Sequence, residues 1–158
     1  MTRGAFLLIA LIAAGCSTPA SRNAGSAVVA APSGAGDVVV SALSDASLPK
    51  GECGMILWTL EANQPAAILR LIAGKSADIV INGKTLKLAI TASSGATGFG
   101  VYEEQLLAAE GMTASVKVVF GLGFDGGSYL ERGLVTIESA TGWRTVIPAA
   151  GVAGCRSN

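Results

Sequence analysis

The sequence predicts a mainly β fold: a small antiparallel sandwich or barrel, with room for one short helix, behind an apolar leader and a flexible tether. Three observations lead there. In Asp78-Ile79-Val80-Ile81-Asn82-Gly83-Lys84-Thr85-Leu86-Lys87-Leu88, an Asn-Gly pair separates two apolar runs. Asn and Gly tolerate the positive φ angles of a type I′ turn, so the two runs should form a hairpin. Past that turn Leu86, Leu88 and Ile90 alternate with Lys87, Ala89 and Thr91, the period of a half-buried strand. Further short β-prone runs follow at modest spacing with turn signals between them, the rhythm of a sandwich or small barrel.

A length of 158 residues suffices for one domain with a core of its own. Charged residues make up 14% of the chain and hydrophobic ones 51%, yet beyond the leader no apolar stretch approaches the roughly 18–20 residues of a spanning helix. Eleven basic residues balance eleven acidic ones, and loss of residues 1–15 would remove only Arg3, leaving a net charge of −1. Such a chain lacks the electrostatic footprint of a nucleic-acid binder, so no nucleic-acid partner is expected. There is no His. The side chain that titrates nearest neutrality is therefore missing, and Ser-His-Asp and Cys-His arrangements are excluded.

Element by element, Met1–Gly4 carries one positive charge, Arg3, and Ala5–Ala14 follows as ten residues without a charge. As a helix those ten reach about 15 Å, half a bilayer core, which suits the apolar region of a signal peptide. The segment closes with Ile12-Ala13-Ala14-Gly15-Cys16, small residues before a Cys, and resembles the lipobox of bacterial lipoproteins. The resemblance implies a signal peptide 1–15, cleavage before Cys16, and acyl chains (diacylglycerol and palmitate) that attach Cys16 to the membrane. Ala13 stands where that family usually has Leu. The other reading is an ordinary secretory signal cut later, after Ala20, with Cys16 discarded. Residues 16–36 form the lipidated Cys and a Gly/Pro-punctuated tether, with an average reach of about 25 Å. By the same resemblance, Ser17 rather than Asp directly after the Cys implies the outer membrane of the cell envelope, facing the periplasm.

The domain then spans 37–158, with its core at 53–155. Three cysteines are an odd number for an exported chain. With Cys16 lipidated, Cys53 and Cys155 remain as a pair, expected to form a disulfide in an oxidising compartment. That bond would close a loop of about 100 residues, worth up to about 4.7 kcal/mol in the chain-entropy account. Two buried thiols are the alternative. Asp37–Leu43 reads as a first strand or a packed lead-in, broken by Pro49 and Gly51. Strands are expected at Gly54–Leu60, Ala67–Ala73, Ala77–Ile81, Thr85–Thr91, Ser115–Phe120, Leu134–Glu138 and Trp143–Ile147, the last two joined through Ala140-Thr141-Gly142. Val101–Glu110, with Glu-Glu-Gln-Leu-Leu-Ala-Ala, has better helix than strand propensity and is the place for the one short helix.

Catalytic constellations are not found. Glu103 and Glu104 are adjacent, so in a strand they point to opposite faces. Ser115 and Lys117 share one strand face without the Ser-x-x-Lys spacing. Gly121–Gly127 lacks the Gly-Lys-Ser/Thr ending of a phosphate loop and reads as a Gly-rich turn. Asp125 alone falls far short of a calcium site, and two isolated Cys without His make no zinc site. No metal or cofactor is expected. The candidate binding loop is Ser93–Tyr102, long and rich in small residues, with Ser94, Gly95, Phe99 and Tyr102 as its contact residues. Trp58 and Trp143 read as core or rim residues of strands.

Two further resemblances concern the domain. A lipobox, one Cys opening a β-rich domain, one Cys closing it, and Ser94-Gly95-Ala96 are similar to the periplasmic inhibitors of c-type lysozyme. Gly98 stands where their loop has Tyr, and their later Trp-x-Lys-Gly element is absent. Cys53-Gly54-Met55-Ile56-Leu57-Trp58, Gly142-Trp143 and Gly154-Cys155 also resemble small exported proteins of alphaproteobacteria, which implies no activity. The expected function is a lipid-anchored envelope protein, not an enzyme, whose β domain binds an envelope protein or cell-wall component or serves a structural role. The alternatives are an inhibitor of a lysozyme-like hydrolase and an envelope enzyme working with carboxylates alone.

Overall fold

Period-two alternation of buried and exposed side chains marks residues 55–59, 101–107, 113–118, 133–138 and 144–149, and the chain satisfies it with strands. The computed structural model describes residues 38–61 and 63–158; the signal 1–15, Cys16 and the tether to residue 36 lie outside them. The strands are β1 (Val40–Ser41), β2 (Cys53–Thr59), β3 (Ala67–Ile72), β4 (Ser76–Ile81), β5 (Lys84–Gly98), β6 (Val101–Ala109), β7 (Met112–Phe124), β8 (Gly127–Ser139) and β9 (Arg144–Cys155). From β2 onward each strand pairs antiparallel with the next. β9 then returns to pair with β2 from Cys53↔Cys155 to Thr59↔Ala149. The result is a closed, eight-stranded up-and-down barrel, of the two predicted architectures the one that leaves no open side. β1 is an extra, two-residue strand on the far end of β4 (Val40↔Ile81), so the expected first strand is mostly a packed lead-in.

Eight strands enclose a space that side chains can just fill, and here they fill it. Met55, Leu57, Leu69, Leu71, Ile79, Leu107, Val116 and Ile137 are at most 1% exposed and project inward, with Ala114, Ala149 and Ala153 where the walls come closer. Val38 and Val40 of the lead-in are buried as part of the core cluster, and Leu48 is buried beside Gly54 of β2. Arg70 fastens that segment from the wall: its guanidinium donates to Asp78 at 2.7 and 3.1 Å and to the Ser47 carbonyl at 2.9 Å. The Cys53–Cys155 disulfide is formed and lies across the β2–β9 seam.

Three expectations are corrected. Residues 101–110 are not helical: β6 occupies them and pairs with β5 on one edge and β7 on the other. Helix propensity differs from strand preference by only tenths of a kcal/mol per residue, and two ladders of tertiary pairing outweigh it. Ser93–Tyr102 is not a loop, because β5 runs on to Gly98 and turns through Phe99 and Gly100 alone, both at positive φ. Trp143 lies in the turn before β9 rather than in a strand, packed half-buried against the core.

Candidate functional site

Two regions of the barrel surface carry more than folding requires. The first is the mouth at the disulfide end, where the predicted contact residues come together in the β5–β6 hairpin. β5 outruns its neighbour: pairing with β4 stops at Ser76↔Ala89, and residues 90–98 pair with β6 alone. Bulges at Ile90/Ala92 and Ser94/Thr97 bend this overhang. Its tip folds over the barrel end. A Cβ on Gly100 would stand 2.7 Å from the Cβ of Ala73 in the β3–β4 turn, and one on Gly98 would meet the Phe120 ring at 3.2 Å. Val101 is fully buried beneath, while Phe99 and Tyr102 are just over one-third exposed.

Polar groups along the hairpin are tied to one another. Ser94 donates to Glu104 Oε2 at 3.2 Å, and Lys117 of β7 donates to Glu104 Oε1 at 2.9 Å. The Lys117 ammonium holds the Glu104 carboxyl below its ordinary range, with Ser94 contributing less. Glu103 takes the opposite side, as adjacent strand residues must, and accepts from the Ala96 N–H at 3.2 Å across the Gly95 bulge. The two acids are thus separately engaged. Gln105 is the exception. It is 2% exposed, pairs across the ladders with Ser93 and Val116, and its Oε1 has no protein hydrogen-bond partner among the described residues. It lines a cavity of about 510 Å³ together with Ala73, Lys75, Ile90, Ser93, Gly100 and Tyr102. Neither Gln105 nor Lys75 was singled out from the sequence. Only its place at the boundary between Glu103-Glu104 and the apolar Leu106-Leu107 could have flagged the first, and a helical reading of 101–110 concealed which face it takes.

The second region is the outer wall of β7, β8, β9 and β2. Several outward positions there are apolar, interrupted by Lys117, Glu131, Arg132 and Thr136, and cross-strand registers place some of them side by side: Leu134 against Pro148, and Tyr129 against Val152, which in turn faces Ile56. Ala150 and Trp58 join the two groups. Leu122 is 76% exposed, Leu60 58% and Tyr129 51%, with Val119, Phe124, Leu134 and Val146 also open to solvent. The Phe124 and Tyr129 rings pair at 4.9 Å at one end. At the other, Leu60, Val119 and Leu134 line a groove of about 390 Å³ edged by Lys117, Glu131 and Arg132. The outward face of β5–β7 is more polar, with Lys87, Ser94, Glu104 and Lys117 around one exposed Leu106. The Gly-rich stretch 121–127 finishes β7 and turns through Asp125 and Gly126 into β8.

Among the described residues no three His, Cys, Asp or Glu side chains lie together as a metal site. The chain matches no protein-family model, no curated protein and no solved structure.

Proposed function

We propose that this chain is a lipid-anchored, non-catalytic binding protein of the bacterial envelope, which presents the apolar wall of β7, β8, β9 and β2 to a protein partner. One observation carries the reading: exposed large apolar residues concentrated on one side of a barrel that already has a buried core. Large exposed apolar patches with a charged rim are costly to leave in water and mark interaction surfaces. Apolar side chains fill the middle of the barrel, and the exposed apolar residues of this wall lie on its outside. The anchor at Cys16 comes from the leader sequence and would hold the wall within tether reach of the membrane.

Placing a photo-cross-linking residue at Leu134, and separately at Lys87 on the polar side, tests this in intact cells. A discrete protein adduct at Leu134 that is missing at Lys87 supports it. Equal labelling at both sites, or none at Leu134, removes it. Mass spectrometry of the mature N-terminus tests the anchor: an acylated Cys16 is expected, and an unmodified start beyond it refutes lipidation. The inhibitor reading would rest on the β5–β6 hairpin, but that hairpin lies against its own barrel through Val101 and Gly100 rather than standing clear of it. Unchanged lysozyme turnover in the presence of the purified protein would end that reading.

A further inference from the structure

The overhang of β5 leaves a strand edge that nothing in the barrel uses. Beyond Ala89 the β4-facing side of residues 90–98 has no backbone pairing among the described residues. Side chains from Thr91 to Thr97 are exposed, and none is charged or a proline. Barrel closure normally removes edges, and natural sheets blunt those that remain with Lys, Pro or a covering loop. This edge has its two bulges and, at its far end, the contact of Gly100 with Ala73 of the β3–β4 turn; Thr91 to Thr97 between them stay open. An unblunted edge alone would say little. Beside it lies the cavity of about 510 Å³ with the buried, unpartnered Oε1 of Gln105 in its lining. A buried acceptor without a donor costs about 1–3 kcal/mol, a deficit that a bound donor would relieve.

We propose that the free edge of β5 is a β-augmentation site, which takes an extended foreign peptide as an added strand and receives one of its long, N–H-bearing side chains (Gln, Lys or Arg) at Gln105. The strand spacing selects that length. An added strand lies about 4.8 Å outside β5, while Gln105 is one strand further in on β6, so donor and acceptor backbones stand about 9.6 Å apart. Gln105's own side chain covers part of that gap, so a Gln, Lys or Arg donor reaches its Oε1 with room to align, whereas a Ser or Thr hydroxyl meets it only at full stretch. Self-pairing of two overhangs, which offer only Ser and Thr hydroxyls between Thr91 and Thr97, is the poorer match to that reach. Backbone bonds supply affinity and the cavity supplies selectivity, the division found where peptides extend sheets. The site lies away from the apolar wall and does not depend on it or on the anchor.

The test uses the full mature chain and three synthetic nonapeptides of alternating Thr and Val: one with a central Gln, one with norleucine in its place, and one with the Gln peptide's alternate amides N-methylated. Amide hydrogen exchange and NMR shifts are read for each. The Gln peptide should protect amides within residues 90–97, shift the Gln105 side-chain resonances and bind about tenfold tighter than the norleucine peptide. The N-methylated peptide should not bind. Gln105→Leu should keep the fold and the backbone protection while erasing the tenfold preference. Absence of protection with every peptide at millimolar concentration overturns the proposal. So does protection that needs no peptide and grows with protein concentration, which would identify a second copy as the occupant. An unchanged preference in Gln105→Leu would show that the cavity holds only water, and would overturn the selectivity claim.

Discussion

Asp78 is a carboxylate 6% exposed on the outward face of β4, and it is tolerable there because Arg70 meets it with two N–H groups. The same guanidinium reaches Ser47 O and, at 3.4 Å, Asp45, so one residue neutralises a buried charge and holds the lead-in to the wall. Replacing both partners by apolar residues need not destabilise, whereas removing one strands the other in the interior. Arg70→Ala should therefore cost about 3 kcal/mol in urea denaturation, with the double variant Arg70→Met/Asp78→Leu recovering most of it. A single-variant loss no larger than that of a surface Lys→Ala would refute the assignment. Glu104 offers a milder case on the surface. Because Lys117 and Ser94 lower its folded value below the ordinary 4.5, the unfolded chain binds the proton more readily. Its contribution is present above the ordinary value and fades as pH falls through the lower folded one. The gap in urea midpoint between the parent and Glu104→Gln should be small but measurable at pH 7, and should close on acidification. A gap that widens in acid contradicts the pairing.

At the level of elements, two hairpins use the same turn with different residues. Asn82-Gly83 joins β4 to β5 and Phe99-Gly100 joins β5 to β6, both with positive φ at the two central positions. Asn accepts that region readily and here also takes the Val39 N–H on its Oδ1 at 2.9 Å. Phe pays a steric cost in it of roughly 1 kcal/mol. Phe99→Asn should thus raise stability by about 0.5–1 kcal/mol, read as a higher thermal midpoint; a fall would mean that the ring's packing outweighs the strain. This contrast explains what was legible. The Asn-Gly hairpin and the alternation of Leu86, Leu88 and Ile90 could be read directly, because turn chemistry and one-sided burial coincide there. Phe-Gly carries no such signal, and Ser93-Ser94-Gly95-Ala96 has no apolar period, so a paired overhang looked like a loop. On β7–β9 the outward positions Val119, Leu134 and Val146 are as apolar as the inward Val118, Val135 and Ile147. Alternation disappears from the sequence there, and with it the length of those strands and the wall they form. Gln105 depended on the same non-local pairing: its burial follows from β5 and β7, not from its neighbours in the chain.

At the scale of the whole molecule, seven of the eight barrel pairings are between strands adjacent in sequence, and only β2–β9 joins the ends. Local hairpins close short loops, while the seam must bring together residues 102 apart, so it carries the largest single share of closure entropy. The Cys53–Cys155 bridge sits at the first pair of that seam and makes the long-range contact permanent in the unfolded chain as well as the folded one. Seven registered pairs and the inward Met55, Leu57, Ala149 and Ala153 hold the same seam without it. Removing the bridge should therefore lower stability without opening the barrel. Cys53→Ser/Cys155→Ser should keep the β circular-dichroism spectrum and the dispersed NMR spectrum while losing up to about 4.7 kcal/mol in urea denaturation. Reductant should reproduce the loss in the parent and do nothing to the variant, since the rim position of Cys155 leaves the bond open to solvent. Equal midpoints with and without reductant would mean that the unfolded chain already keeps its ends together, and the seam would then owe its closure to the meander rather than to the bridge.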